Sequence, residues 1–92
     1  MANFYAYILE CTDGQRYYGH TNNLKRRLTE HKNGKVRYTK NKGPIKLVWF
    51  HRYINRVEAS KIEKKLKYMH DKGVINRMIS LMPKGAIDAC KI

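Results

Sequence analysis

Residues 45–53, Ile-Lys-Leu-Val-Trp-Phe-His-Arg-Tyr, restrict the fold more than any other stretch, because both faces of an extended chain here are apolar. Leu47, Trp49 and Tyr53 line one side, and Val48 and Phe50 the other. A strand with one wet face has no need of this; a strand covered on both sides does. The segment therefore reads as a central strand between two layers of cover.

The remaining elements follow from changes of period. Residues 4–9 are aromatic and apolar and read as a strand, residues 11–15 carry turn chemistry, and residues 16–19 read as the returning strand. From Asn23 the spacing becomes helical: Leu24, Leu28 and His31 share a face, with Asn22 or Asn23 as N-cap and Asn33-Gly34 as the stop. Residues 35–44 are basic, end in Gly43-Pro44 and read as a loop. Residues 56–70 form a helix with a buried stripe of Ala59, Ile62, Leu66 and Met69. Residues 73–82 form a third through Val74, Ile75, Met78, Ile79 and Met82, stopped by Pro83. The order ββαβαα predicts an α+β domain, a small antiparallel sheet of about three strands with helices packed on it. Ninety-two residues hold one such domain, placed over residues 1–82, with residues 83–92 as a loosely docked tail.

Charge narrows the partner. Twenty Lys and Arg against seven Asp and Glu leave +13, which points to a polyanion, and nucleic acid is the commonest one. No segment joins a long apolar face to a basic one, and no run approaches the ~20 apolar residues of a spanning helix. No basic region precedes the apolar run at residues 4–9, so a secretion signal is not expected. Cys11 and Cys90 make no disulfide framework. One is expected to be semi-buried and the other to lie in the tail, in a reducing interior, cytoplasmic or nucleoid-associated.

Several side chains suit chemistry on a phosphate. At about 100° per residue, Arg27 and His31 fall within about 60° of Leu24, on the arc that should face the sheet. A guanidinium there is costly unless it is paired or lines a cleft; otherwise it snorkels along the sheet edge. Tyr7 and Tyr17 flank the Asp13-Gly14 turn, and their relation depends on register. A two-residue turn puts them on opposite faces. A three-residue loop, Thr12-Asp13-Gly14 with Gly14 left-handed, sets Tyr17 opposite Leu9 and Gly19 opposite Tyr7, and makes the two tyrosines diagonal neighbours about 7 Å apart. Glu63 lies about 40° past Ala59 at the edge of its helix's buried stripe. Its simplest role is an i,i+4 pair with Lys67, and Glu58 is the rival carboxylate. His20, His51 and His70 read as structural or surface residues. Lys32, Lys35, Arg37, Lys40, Lys42 and Arg52 are placed to track a nucleic-acid backbone, and no base-reading element is visible.

Together these residues carry a resemblance to the GIY-YIG nuclease superfamily, from residue 4 to about residue 79. Tyr5-Ala6-Tyr7 stands at the first triplet and Tyr17-Tyr18-Gly19 at the second; Arg27, His31 and Glu63 follow at the family's spacing. The likeness is to small stand-alone members and to the catalytic domain of structure-specific junction nucleases. It implies an endonuclease acting on DNA, with RNA as the other candidate substrate, in repair, recombination or mobile-element processing. It implies roles as well: Tyr7 as general base or proton relay, its phenol lowered by nearby cations; Tyr17 orienting water or phosphate; Arg27 neutralising developing charge; His31 orienting the tyrosine; and Glu63 holding one Mg²⁺ or Mn²⁺. Tyr5 replaces the family's glycine and His20 follows Gly19 where a smaller or apolar residue is common. A supporting asparagine has only Asn76 as candidate. The chain is expected to be a monomer or weak homodimer, with any substrate targeting supplied by a protein partner. The alternative reading keeps the fold as a non-catalytic DNA- or RNA-binding module.

Overall fold

A computed structural model of the chain describes residues 3–11, 14–35, 45–69 and 72–82. The elements are β1 (Phe4–Cys11), β2 (Arg16–Thr21), α1 (Leu24–Lys32), β3 (Ile45–Tyr53), α2 (Arg56–Lys67) and α3 (Lys72–Leu81). The three strands form one antiparallel sheet in the order β2-β1-β3. This is the α+β architecture that the periodicities predict. The tail expected over residues 83–92, with Cys90, lies outside the described residues, as do most of the basic loop and His70. No described helix is long and apolar enough to cross a membrane.

The centre of the sheet is β1, which corrects the placement of residues 45–53 as the central strand. The apolarity of β3 has another cause: the sheet is so narrow that a helix layer on each side also covers the middle of its edge strand. On one face Ala6, Ile8, Val48 and Trp49 pack with Leu66 of α2 and Ile75 of α3. On the other, Tyr7, Leu9 and Leu47 pack with Leu24 and Leu28 of α1. The edge character of β3 survives in its exposed Lys46, His51 and Arg52.

A bulge also reassigns the faces of β3. Ile8 pairs with Trp49 and Leu9 with Leu47, so Val48 is the extra residue. Counting by twos fails across it: Leu47 and Phe50 join the Tyr7 face, and Val48, Trp49 and Tyr53 join the Ile8 face.

The hairpin has the longer loop. Leu9 stands opposite Tyr17 and Tyr7 opposite Gly19. Cys11 N–H donates to Gln15 O at 2.8 Å, which leaves three residues between them, and Gly14 has a φ of 85°. Thr12 and Asp13 themselves lie outside the described residues. Cys11 is fully buried rather than semi-buried.

Asn23 and Asn55 cap α1 and α2, their side chains accepting from the Arg26 and Glu58 N–H groups. Helix α2 stops at Lys67, short of residue 70: the Tyr68 N–H still donates to Lys64 O, but the Met69 N–H closes onto Leu66 O at 3.3 Å, which tightens the last turn. Met69 still packs against the core from beyond that cap. In α3 only Ile75 is fully buried, and Val74, about 100° around the helix, is exposed rather than part of the stripe.

Candidate active site

Gly19 is where the site begins. It stands opposite Tyr7, and the phenol of Tyr7 leans across it. A Cβ at position 19 would lie 2.5 Å from the Tyr7 hydroxyl, 2.6 Å from its Cζ and 3.0 Å from Cε1 of Tyr17. Space, not backbone conformation, requires the glycine. The three-residue loop puts Tyr17 on the same face, with its ring centroid 6.2 Å from that of Tyr7.

Helix α1 supplies the next two groups. Leu24 and Leu28 seat its stripe on this face of the sheet, and His31 is buried on the same stripe. His31 Nε2 lies 3.2 Å from Tyr7 Oη, and its ring meets Tyr17 edge-on at 4.8 Å. Arg27, half-buried on the flank, donates from Nε to Tyr7 Oη at 3.3 Å and from Nη1 to Glu30 Oε1 at 3.3 Å. The Tyr7 oxygen thus sits between a guanidinium donor and an imidazole nitrogen.

Burial sets the protonation of this group. It pushes the Tyr7 phenol above its ordinary value; the Arg27 hydrogen bond opposes this without prevailing, and the Tyr17 and Glu63 charges add to the rise. The expectation that nearby cations lower this phenol is therefore corrected, because desolvation outweighs them. Burial, and then the positive charge of Arg27, lower His31 to about 4 against a smaller pull from Glu30. At neutral pH the imidazole is uncharged. Its Nε2 accepts from Tyr7 O–H in the tautomer that carries the ring proton on Nδ1. For Arg27 burial opposes the charge, but the hydrogen bonds with Tyr7, Tyr17 and Glu30 outweigh it and push the guanidinium further up.

A pH dependence follows from His31. Above about pH 6.5 its imidazole is neutral in both native and unfolded chains, so its full contribution to stability is present. As pH falls from there toward 4, the unfolded chain takes up a proton that the native state refuses, and stability falls. The loss is on the order of 3 kcal/mol. Urea unfolding of wild type and His31→Gln between pH 7.5 and 4 is expected to show a steeper decline in wild type. Parallel curves would mean that His31 titrates normally.

Glu63 arrives from the other side. Helix α2 covers the Ala6/Ile8 face, and Glu63 extends to the β2 edge, where its Oε1 lies 3.1 Å from His20 Nδ1. The structure thus gathers Tyr7, Tyr17, Arg27 and His31 on one face and holds Glu63 beside the edge strand, with its charge still felt at Tyr7. His20, rather than Lys67, is its partner among the described residues. Glu58 is exposed at the start of α2. Asn76 accepts from Arg16 at 2.6 Å and engages none of the five. Lys32, Lys35 and Arg52 are exposed, and Arg37, Lys40 and Lys42 lie outside the described residues. No group of three or more His, Cys, Asp or Glu among the described residues forms a metal cluster. An ion here would rely on Glu63 with water and phosphate oxygens.

Two contributors escape a reading by motif, Glu30 as the partner of Arg27 and His20 as the partner of Glu63; Gly19 stands in the second triplet, and the structure adds the steric reason for it. Glu30 had a signal in its i,i+3 spacing from Arg27. His20 had none, because it meets α2 only through the tertiary fold.

Comparison with known proteins gives the family and the fold. The family model described as the GIY-YIG catalytic domain matches residues 3–76. A UPF0213 protein of Oceanobacillus iheyensis is 41% identical over 66 residues, covering 71% of this chain and 77% of that protein. The solution NMR structure of a UPF0213 protein from Bacillus halodurans superposes with a TM-score of 0.55 at 36% identity, covering 86% of this chain and 84% of that one. A second NMR structure, of a protein from E. faecalis, gives 0.59 at 30% identity, covering 90% and 95%.

Proposed function

The chain belongs to the GIY-YIG catalytic domain family, a family of nuclease folds, and from that premise we propose that it is a divalent-metal-dependent endonuclease hydrolysing DNA phosphodiester bonds. The observation that carries this reading is the Tyr7 hydroxyl held between Arg27 Nε and His31 Nε2. A buried phenol that both accepts from a cation and faces a neutral imidazole is a proton relay rather than a packing tyrosine.

The attacking water gives its proton to Tyr7 Oη while the phenolic proton passes to His31 Nε2. In the same step the water oxygen bonds to phosphorus as the 3′ oxygen departs and takes a proton from solvent. The raised phenol makes a free phenolate costly, so concerted transfer avoids it. The depressed imidazole is unprotonated at neutral pH, and because it is a weak base it passes the proton it takes up on to solvent, which restores the relay. Arg27, charged throughout, faces the negative charge that grows on the phosphate, and Tyr17 orients the water or phosphate beside it. When bound at Glu63, one Mg²⁺ or Mn²⁺ supplies Lewis-acid stabilisation of the phosphate and leaving oxygen. The surroundings of Glu63 suit an ion, since one carboxylate oxygen is held by His20 and the side chain is 20% exposed.

The net charge of +13 supplies affinity for a phosphate backbone without reading sequence. Lys32, Lys35 and Arg52, with Arg37, Lys40 and Lys42, are the proposed backbone contacts. Among the described residues no element is built to read bases, and branched, flapped or damaged DNA is the proposed substrate rather than a fixed sequence. Labelled linear, flap and junction DNAs incubated with Mg²⁺ or Mn²⁺ test this. Cleavage is expected for wild type and a loss of at least about 100-fold for Glu63→Ala. Salt-sensitive binding with no cleavage of any substrate would instead identify a nucleic-acid-binding module.

A further inference from the structure

Resting on the metal-dependent reading above, we propose that His20 is a second protein ligand to the divalent ion, so that the metal site is a His20–Glu63 pair rather than a lone carboxylate. His20 Nδ1 and Glu63 Oε1 are 3.1 Å apart. Ligands on adjacent corners of an octahedron with bonds of about 2.1 Å stand about 3 Å apart. An ion can therefore take the place of the proton in this contact with little movement of either side chain. Nδ1 offers its lone pair to the ion in the tautomer that carries the ring proton on Nε2. The two side chains are 28% and 20% exposed, open enough for a hydrated ion to enter and sheltered enough to keep one geometry.

The identity of the partner carries the argument further. The chain holds 20 Lys and Arg, and α2 alone carries Arg56, Lys61, Lys64, Lys65 and Lys67. Amid that excess Glu63 is paired with an imidazole. A lysine ammonium in the same place would cancel the carboxylate charge and occupy the position of a cation. An imidazole can instead turn a nitrogen lone pair toward a cation that the carboxylate also holds. The pair also lies one residue along β2 from Gly19, the residue against which the Tyr7 hydroxyl rests. A nitrogen ligand has a consequence for selectivity. It moves preference away from Mg²⁺, which favours oxygen, toward Mn²⁺ and more strongly toward Co²⁺ and Ni²⁺.

The test uses the full chain loaded with Mn²⁺ and pulsed electron paramagnetic resonance, which reads ¹⁴N modulation from a directly bound imidazole. Calorimetric titration with Mg²⁺, Mn²⁺ and Ni²⁺ accompanies it. Wild type is expected to show the modulation, and His20→Ala and His20→Asn to lose it. Ni²⁺ affinity is expected to fall by about 10- to 100-fold in both variants, and Mg²⁺ affinity by no more than about threefold. The wild-type spectrum is decisive even if neither variant folds: bound Mn²⁺ without ¹⁴N modulation, or no Mn²⁺ bound, overturns the proposal. Modulation that persists in a folded variant also overturns it. Cleavage measured in parallel separates the two ideas. Cutting without nitrogen coupling leaves the nuclease and removes His20, whereas coupling without cutting leaves the metal site and removes the nuclease.

Discussion

Arg27→Ala is expected to lower single-turnover cleavage by about 100- to 1,000-fold, the range found when one well-placed donor to a developing oxyanion is removed. The expectation rests on two contacts, Nε to Tyr7 Oη at 3.3 Å and Nη1 to Glu30 at 3.3 Å, which fix the guanidinium on the site side of α1. Binding should change far less, since one phosphate contact among many is lost and the salt slope falls by only about one unit. Arg27→Lys keeps the charge but not the planar fork that reaches both Tyr7 and Glu30, so it should recover only a small part of the rate. Cleavage by Arg27→Ala within threefold of wild type would take Arg27 out of the chemistry.

Gly19→Ala should damage stability and cleavage together. The new methyl would meet the Tyr7 hydroxyl at 2.5 Å and Cζ at 2.6 Å. Tyr7 is 1% exposed, with no open side to which its ring can retreat. Overpacking of this kind costs about 1–3 kcal/mol. A hydroxyl displaced by about 1 Å from its relay partners costs about 100-fold in rate. Adding Tyr7→Phe removes the first contact and leaves the second, so the double variant should regain part of the stability and none of the activity. Urea unfolding and cleavage read the two effects separately. An alanine variant as stable and as active as wild type would show that the phenol does not lie across position 19.

How much of this was legible depended on the range over which each residue acts. The hairpin register was readable because a three-residue loop with a left-handed glycine fixes the pairing locally, and Tyr7 and Tyr17 then share a face by alternation. The α1 stripe was equally plain: Leu24, Leu28 and His31 are buried as their spacing implies. The position of β3 was not readable. Apolar residues on both faces report cover, not neighbours, and in a three-stranded sheet an edge strand can be covered too. The bulge at Val48 was invisible for a related reason, since a single unpaired residue leaves composition unchanged while it exchanges every face beyond it. His20 was hidden because its partner lies 43 positions away on another element. The protonation of Tyr7 was misread because counting neighbouring cations ignores desolvation.

The central position of β1 has a consequence for motion. Tyr7 sits on the strand that is paired on both sides, and its backbone is released only by a large opening of the sheet. Arg27 and His31 sit on a nine-residue helix held to that sheet chiefly by Leu24 and Leu28. The two halves of the proton path therefore belong to regions of unequal local stability. A transient excursion that breaks the path starts by lifting α1 away from the phenol, while the strand beneath keeps its place.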